Sequence, residues 1–261
     1  MTTRFPRPTL LASSLLLAGF LSAVPAESEL RVPALRIADG RALVRAMHER
    51  WAHRWYRDFM LVQDVTYYED DKETRRERMT EYISLPGRVR AITGDLEEGN
   101  ADIYVDGAFH RFEGGEPAGR LPAVHGVLVT GFDVYAQPPE RTIAQLEELG
   151  VDLDRIAEAD WRGRPVWVVG AEPGDDSTPQ LWVEKDRLLC VRVVSQRPYG
   201  TLAVEMDGYE PLGEGWIATE LVFRRNGALA LREDYVEFRT LKGIDPALFD
   251  VNDLKTEGPL P

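Results

Sequence analysis

Residues Trp161 to Val194 read WRGRPVWVVGAEPGDDSTPQLWVEKDRLLCVRVV. Three apolar runs, Pro165 to Gly170, Gln180 to Glu184 and Leu188 to Val194, are separated by Gly, Pro, Asp and Ser. Short runs of β-branched and aromatic residues, bounded by turn formers, spell antiparallel strands joined by hairpins. They are too brief and too often interrupted to complete a helical period.

The same grammar continues on both sides. Downstream, Leu202, Val204 and Met206 alternate with Thr201, Ala203 and Glu205, so Gly200 to Pro211 and Gly215 to Arg224 make a further pair. Asn226-Gly227 is the strongest hairpin signal in the chain, and Leu229 to Leu241 follows as the last strand. Ile244 to Phe249 reads as a short terminal turn or helix. Upstream, strands are expected at Phe59–Tyr68, Thr74–Leu85, Val89–Thr93, Ala101–Val105 and Ala108–Phe112, with Asp106-Gly107 as a tight turn. The charges Arg75 to Arg78 mark a solvent face of a half-exposed sheet. Gly114 to Pro122 reads as a loop, and Val151 to Ala159 as a polar connection. The total is about ten or eleven strands, mostly paired to their chain neighbours.

Helices interrupt this pattern in two places. Asp39 is placed to cap a helix running to about Asp58, with Val44, Met47, Trp51 and Trp55 on one stripe and Leu43 beside it. That stripe suits the core, or else its aromatic rings touch a ligand. His48 and His53 are five apart and so do not share a face as metal ligands would. Ala123 to Ala136 (AVHGVLVTGFDVYA) is almost wholly apolar. A strand is also permitted there, but Pro138-Pro139 and a second helical stripe, Ile143, Leu146 and Leu149, favour a helix pair, with Gly150 as the stop.

The N-terminus speaks to compartment. Arg4 and Arg7 precede the apolar run Leu10 to Leu21, and Val24-Pro25-Ala26 offers a cleavage site, so residues 1–26 read as a secretory signal peptide. Residues 27–38 form an N-terminal arm, 39–252 one domain, and 253–261 a polar tail. The net charge is −13 over the whole chain, and loss of Arg4 and Arg7 makes it more negative. Nucleic acid and anionic membrane surfaces, which require clustered positive charge, are poor partners for such a chain. The lone Cys190 cannot form an internal disulfide and sits in an apolar strand.

Catalytic signatures are missing. There is no G-x-S-x-G, Walker loop, H-E-x-x-H or C-x-x-C, and Asp175-Asp176-Ser177 are ordinary turn formers. No cofactor, metal site or catalytic residue is expected. His125, Asp133 and Tyr135 are the only polar cluster that an enzyme reading could draw on. A strongly curved antiparallel sheet has to enclose one face, and incomplete filling by helices leaves an apolar pocket. A completely filled core gives the same sequence pattern.

Several segments, in order, carry a resemblance: Trp55-Tyr56-Arg57-Asp58-Phe59; Val62-Gln63-Asp64; Ser84-Leu85-Pro86-Gly87-Arg88-Val89-Arg90; Trp161 through Ala171; Pro179 through Lys185; and Leu248-Phe249-Asp250. With them, nearly the whole chain after the leader resembles a divergent branch of the LolA-like periplasmic outer-membrane lipoprotein-sorting proteins. The resemblance implies an α+β fold: a single-domain, unclosed antiparallel half-barrel with a helical lid over a hydrophobic cavity. It implies a periplasmic carrier of lipid or acylated lipoprotein, working between an inner-membrane transporter and an outer-membrane receptor with only transient membrane contact. The alternative within the same fold is a sensor that recognises an envelope protein. It also implies an Arg that latches lid to sheet, for which Arg78, Arg88 and Arg90 are candidates. Leu61, Val65, Tyr67, Tyr82, Val127, Leu128, Phe132, Trp167 and Trp182 are the residues expected to line or cover the cavity. Trp167 and Trp182 can alternatively face outward, since their neighbours are equally apolar.

Overall fold

A computed structural model of the chain describes residues 37–254. The signal peptide expected at residues 1–26 lies outside the described residues, as do most of the arm and of the tail. The strands are β1 (Asp58–Glu69), β2 (Lys72–Ser84), β3 (Arg88–Thr93), β4 (Ala101–Val105), β5 (Ala108–Glu113), β6 (Glu116–Pro122), β7 (Ile156–Trp161), β8 (Arg164–Val169), β9 (Gln180–Glu184), β10 (Cys190–Arg197), β11 (Gly200–Asp207), β12 (Glu210–Leu212), β13 (Gly215–Ile217), β14 (Glu220–Arg225) and β15 (Ala228–Thr240). Thirteen form one antiparallel sheet in the order β6-β5-β4-β3-β2-β1-β15-β14-β11-β10-β9-β8-β7. The first and last strands of the domain, β1 and β15, pair at its centre, and the edges β6 and β7 do not pair with each other, so the sheet stays open.

Tight hairpins build this meander. Asp70-Asp71, Asp106-Gly107, Arg162-Gly163 and Asn226-Gly227 each hold both central residues at positive φ, the geometry whose twist matches that of the flanking strands. The strand count exceeds the expected ten or eleven for local reasons. Gly114 to Pro122, expected as a loop, contains β6, a fully exposed edge strand that pairs with β5. Proline is tolerated there because one side of an edge strand needs no ladder donor. The expected polar connection 151–159 ends in β7, which opens the hairpin with β8. The pair expected from Gly200 and Gly215 splits: β11 pairs with β14, and β12 and β13 form a separate two-stranded excursion between them.

Helix α1 (Gly40–Trp51) is capped as expected, the Ala42 N–H donating to Asp39 Oδ1 at 2.7 Å. Gly40 allows the helix start to press on the sheet, since a Cβ there would lie 2.5 Å from Val169 Cγ1. The helix stops at Trp51, short of the expected Asp58. The Arg54 and Trp55 N–H groups both fold back onto the Trp51 carbonyl, turning Trp55 and Tyr56 inward and freeing Asp58 to begin β1. The apolar stretch expected as a helix from Ala123 is helical over 126–136: α2 (Gly126–Leu128), a π-helical turn (Val129–Asp133) and α3 (Val134–Ala136). Helix α4 (Pro139–Glu148) follows.

Strand alternation sorts the apolar residues between two faces. On the concave face Phe59, Leu61, Ile83, Trp167, Val183, Val204, Leu221 and Tyr235 pack with α1 and helix 126–136 in the main core. On the convex face Met60, Tyr82, Ile92 and Phe112 lie under the terminal 3₁₀ turn Pro246–Phe249 through Leu248 and Phe249. Further along that face, Val166, Val168, Trp182 and Val191 form a third cluster with Trp161.

Candidate functional site: a half-anchored lid over an apolar cavity

Helix 126–136 crosses the concave face and leaves a cavity of about 140 Å³ beneath it. The sheet contributes Leu61, Ile83, Val89, Phe223 and Tyr235, and the helix side His125, Val127, Leu128 and Phe132. Two carboxylates, Glu81 and Glu233, interrupt the apolar wall. A cavity of about 150 Å³ holds a benzene ring, so this volume suits about six carbons.

The far end of the lid is anchored by aromatic packing and hydrogen bonds. Tyr135 is fully buried; its hydroxyl donates to the Leu188 carbonyl (3.2 Å) and accepts from the Cys190 N–H (3.1 Å). Trp55 lies against its ring at 4.0 Å, and Phe132 stacks on Phe59 at 5.3 Å. These pairings join the lid to Trp55 in the segment leaving α1 and to Phe59 at the start of β1. Trp51 Nε1 donates to the Arg187 carbonyl and Tyr56 Oη to the Trp216 carbonyl, each at 2.8 Å, which fixes that segment in turn.

Asp133 supplies a second anchor. It is 1 % exposed, and its Oδ1 accepts the Gly87 N–H (3.1 Å) from the β2–β3 turn, while Oδ2 has no partner among the described residues. Burial pushes its carboxyl up to about 7, against the opposing pull of the Gly87 N–H and Arg141. The lid–sheet contact here is therefore a carboxyl group on a backbone amide. The candidate arginines are used elsewhere. Arg78 pairs with Asp64, Arg88 donates to Ser84 Oγ, and Arg90 faces the convex side with Tyr82 and donates to the Leu248 carbonyl.

The near end is held more lightly. His125 sits between the Tyr104 and Phe109 rings at 5.2 and 5.0 Å, and its Nδ1 accepts the Leu128 N–H at 3.3 Å as an N-cap. Burial holds it down to about 4, so the ring is neutral and free to accept. Val127 is only half-buried. The irregular turn between the two ends, where Thr130 Oγ1 donates back to the Gly126 carbonyl, is where this helix can flex.

The structure brings together four of the nine expected cavity residues, Leu61, Val127, Leu128 and Phe132. Val65 and Tyr67 share the concave face with Leu61 but lie further along β1. Val65 is opposite Glu233, and the Arg75 guanidinium lies 4.0 Å from the Tyr67 ring centre. Trp167 belongs to the main core but is absent from the cavity wall. Tyr82 and Trp182 lie on the opposite, convex face, because each is one residue out of phase with an inward neighbour, Ile83 and Leu181. Trp182 edges onto Trp161 beside the Arg192 guanidinium, in a separate hollow of about 320 Å³.

His125, Asp133 and Tyr135 share one helix but converge on no common point: one caps it, one binds Gly87 and one binds β10. Burial pushes the Cys190 thiol up to about 12 and so leaves it unreactive. Among the described residues no group of three or more His, Cys, Asp or Glu side chains is placed to hold a metal ion, and no helix is long and apolar enough to cross a membrane.

No protein-family model matches the chain, and no curated protein matches it by sequence. Solved structures do match. A DUF1329 family protein from Desulfovibrio piger superposes with a TM-score of 0.56 at 15% identity, over 83% of this chain and 98% of that one. A LolA superfamily protein from Nitrosomonas europaea superposes with a TM-score of 0.55 at 11% identity, over 81% of this chain and 99% of that one. The open antiparallel sheet with helices on its concave face is thus the fold shared by these LolA-superfamily and DUF1329 structures.

Proposed function

We propose that the chain is a periplasmic carrier that holds an acyl chain of a lipid or lipoprotein in the cavity under helix 126–136. On this reading it takes its load from an inner-membrane donor, gives it to an outer-membrane acceptor, and touches membranes only in passing. The observation that carries the proposal is an apolar cavity roofed by a helix anchored at Asp133 and Tyr135 and lightly held at His125 and Val127. An alkyl chain enters beneath Val127 as that end swings about the π-helical turn. Each buried methylene contributes about 0.8 kcal/mol, so a modest chain is enough for useful affinity without catalytic groups.

Straight-chain alcohols test this. Affinity is expected to rise about fourfold per methylene and to keep rising beyond about six carbons, because the lid swings aside. Val127→Asp, at a half-buried lining position, should lower it at least about tenfold by placing a charge in the chain's path. Trp182→Ala, on the opposite face, should leave it unchanged. A plateau at about six carbons marks a closed core void and defeats the carrier reading.

A further inference from the structure

Among the described residues, no cation acts on the two carboxylates in the cavity wall. Glu81 and Glu233 both line the cavity, and among the described residues neither forms an ion pair. Glu81 lies opposite Leu61 on β2, and Glu233 lies opposite Val65 on β15, so the two face each other across β1 on the concave side. Between them is Gln63, 1 % exposed. Its Nε2 donates to Glu81 Oε1 at 3.0 Å, and its Oε1 is buried without a partner. Arg75, further along this face, is paired with Glu77 at 2.9 Å, and the charge of Arg197 acts on His125 rather than on either carboxylate. The cavity therefore runs from an apolar part, Ile83, Val89, Leu128 and Phe132, to a polar part where the Glu233 carboxylate and the second Glu81 oxygen offer acceptors beside the Tyr235 hydroxyl.

Carboxylate acceptors in a half-buried wall are costly without donors, and a neighbouring carboxylate adds repulsion. Burial pushes Glu81 up to about 7, and burial with Glu81 alongside pushes Glu233 well up too. A ligand that brings N–H donors and positive charge relieves both costs, whereas a fatty-acid or phosphate head adds a like charge.

We propose that the cavity is selective for an amphiphile whose alkyl chain carries a protonated amine, seated between Glu81 and Glu233. This rests on the reading that the cavity holds an alkyl chain. No bond is made or broken; the amine donates to the two carboxylates while its chain lies under Phe132.

Decylamine, decanol and decanoate separate the head from the chain. They are titrated into the protein by calorimetry at about pH 8, where an amine is protonated and a carboxylate ionised. Decylamine is expected to bind about tenfold or more tighter than decanol, with decanoate weakest, as charge-assisted hydrogen bonds require. In the Glu81→Gln/Glu233→Gln double variant the three affinities should converge to within about threefold, since the carboxylates that distinguish the heads are gone. Its far-UV circular dichroism and its retained affinity for decanol establish that the fold survives. Equal binding of decylamine and decanol by the natural protein, or tighter binding of decanoate, overturns the amine selectivity and leaves the alkyl-chain reading standing. Failure of all three to bind overturns both.

Discussion

Asp133→Asn should make the protein more stable near pH 8 and remove much of a decline in stability as pH rises from about 4 to about 7. The Asp133 carboxyl moves from an ordinary 3.8 to about 7 because it is buried in the lid with a single amide partner. A carboxyl whose folded value is raised binds its proton more tightly when folded. Its stabilising contribution is therefore complete below the unfolded value and lost as pH climbs through the folded one. About three pKa units correspond to about 4 kcal/mol, and asparagine should recover roughly half, since its amide nitrogen takes the unpaired place of Oδ2. For a domain of this size that is on the order of 5 °C in thermal midpoint. Glu81 and Glu233 shift in the same sense and should leave a residual slope in the variant. Thermal melts across this range decide the matter. A natural protein that gains stability from pH 4 to pH 7 would show Asp133 to be ionised in its site.

Tyr135→Ala should cost on the order of 5 kcal/mol, among the largest losses for any single side chain here. Truncating a buried aromatic ring costs about 3–5 kcal/mol, and leaving the Cys190 N–H and Leu188 carbonyl without their hydroxyl partner costs about 1–3 kcal/mol more. Tyr135→Phe isolates the second contribution, because the ring still packs on Trp55 while both hydrogen bonds are lost. The two variants should differ by about 3 kcal/mol in denaturant unfolding. Equal, small losses in both would mean that the lid is not anchored at this end, and the pivot would have to be placed elsewhere.

Much of the fold was legible in residue order, because antiparallel meanders are written locally. Asp106-Gly107, Asn226-Gly227 and the runs around Trp167 and Trp182 each specify a hairpin from a handful of neighbouring residues. The lid helices were legible from period and from Pro138-Pro139. Pairings that depend on distant partners were not. The contact of β1 with β15 joins segments at opposite ends of the domain, and β6 exists only because β5 offers it an edge. The cavity was half legible for the same reason. Leu61, Val127, Leu128 and Phe132 follow from apolar alternation and helix stripe. Tyr82 was expected inward and lies outward, and the facing of Trp182 was left open, because strands apolar on both sides carry no phase signal; Ile83 and Leu181 are equally good inward residues. Glu81, Glu233 and Gln63 were missed because a carboxylate in a charged strand reads as solvated. Only the register that sets Glu81 beside Leu61 and Glu233 beside Val65 turns them inward. That alternation around Leu61 was the available clue.

The most direct measurement is native mass spectrometry, with lipid extraction, on residues 27–261 purified from a periplasm without detergent. The expected result is a co-purifying molecule with an alkyl chain, retained by the natural protein and lost from Val127→Asp. A protein that emerges empty, and that also takes up none of the added alcohols, amines or lipopeptides, would contradict a carrier and point instead to recognition of an envelope protein by this fold.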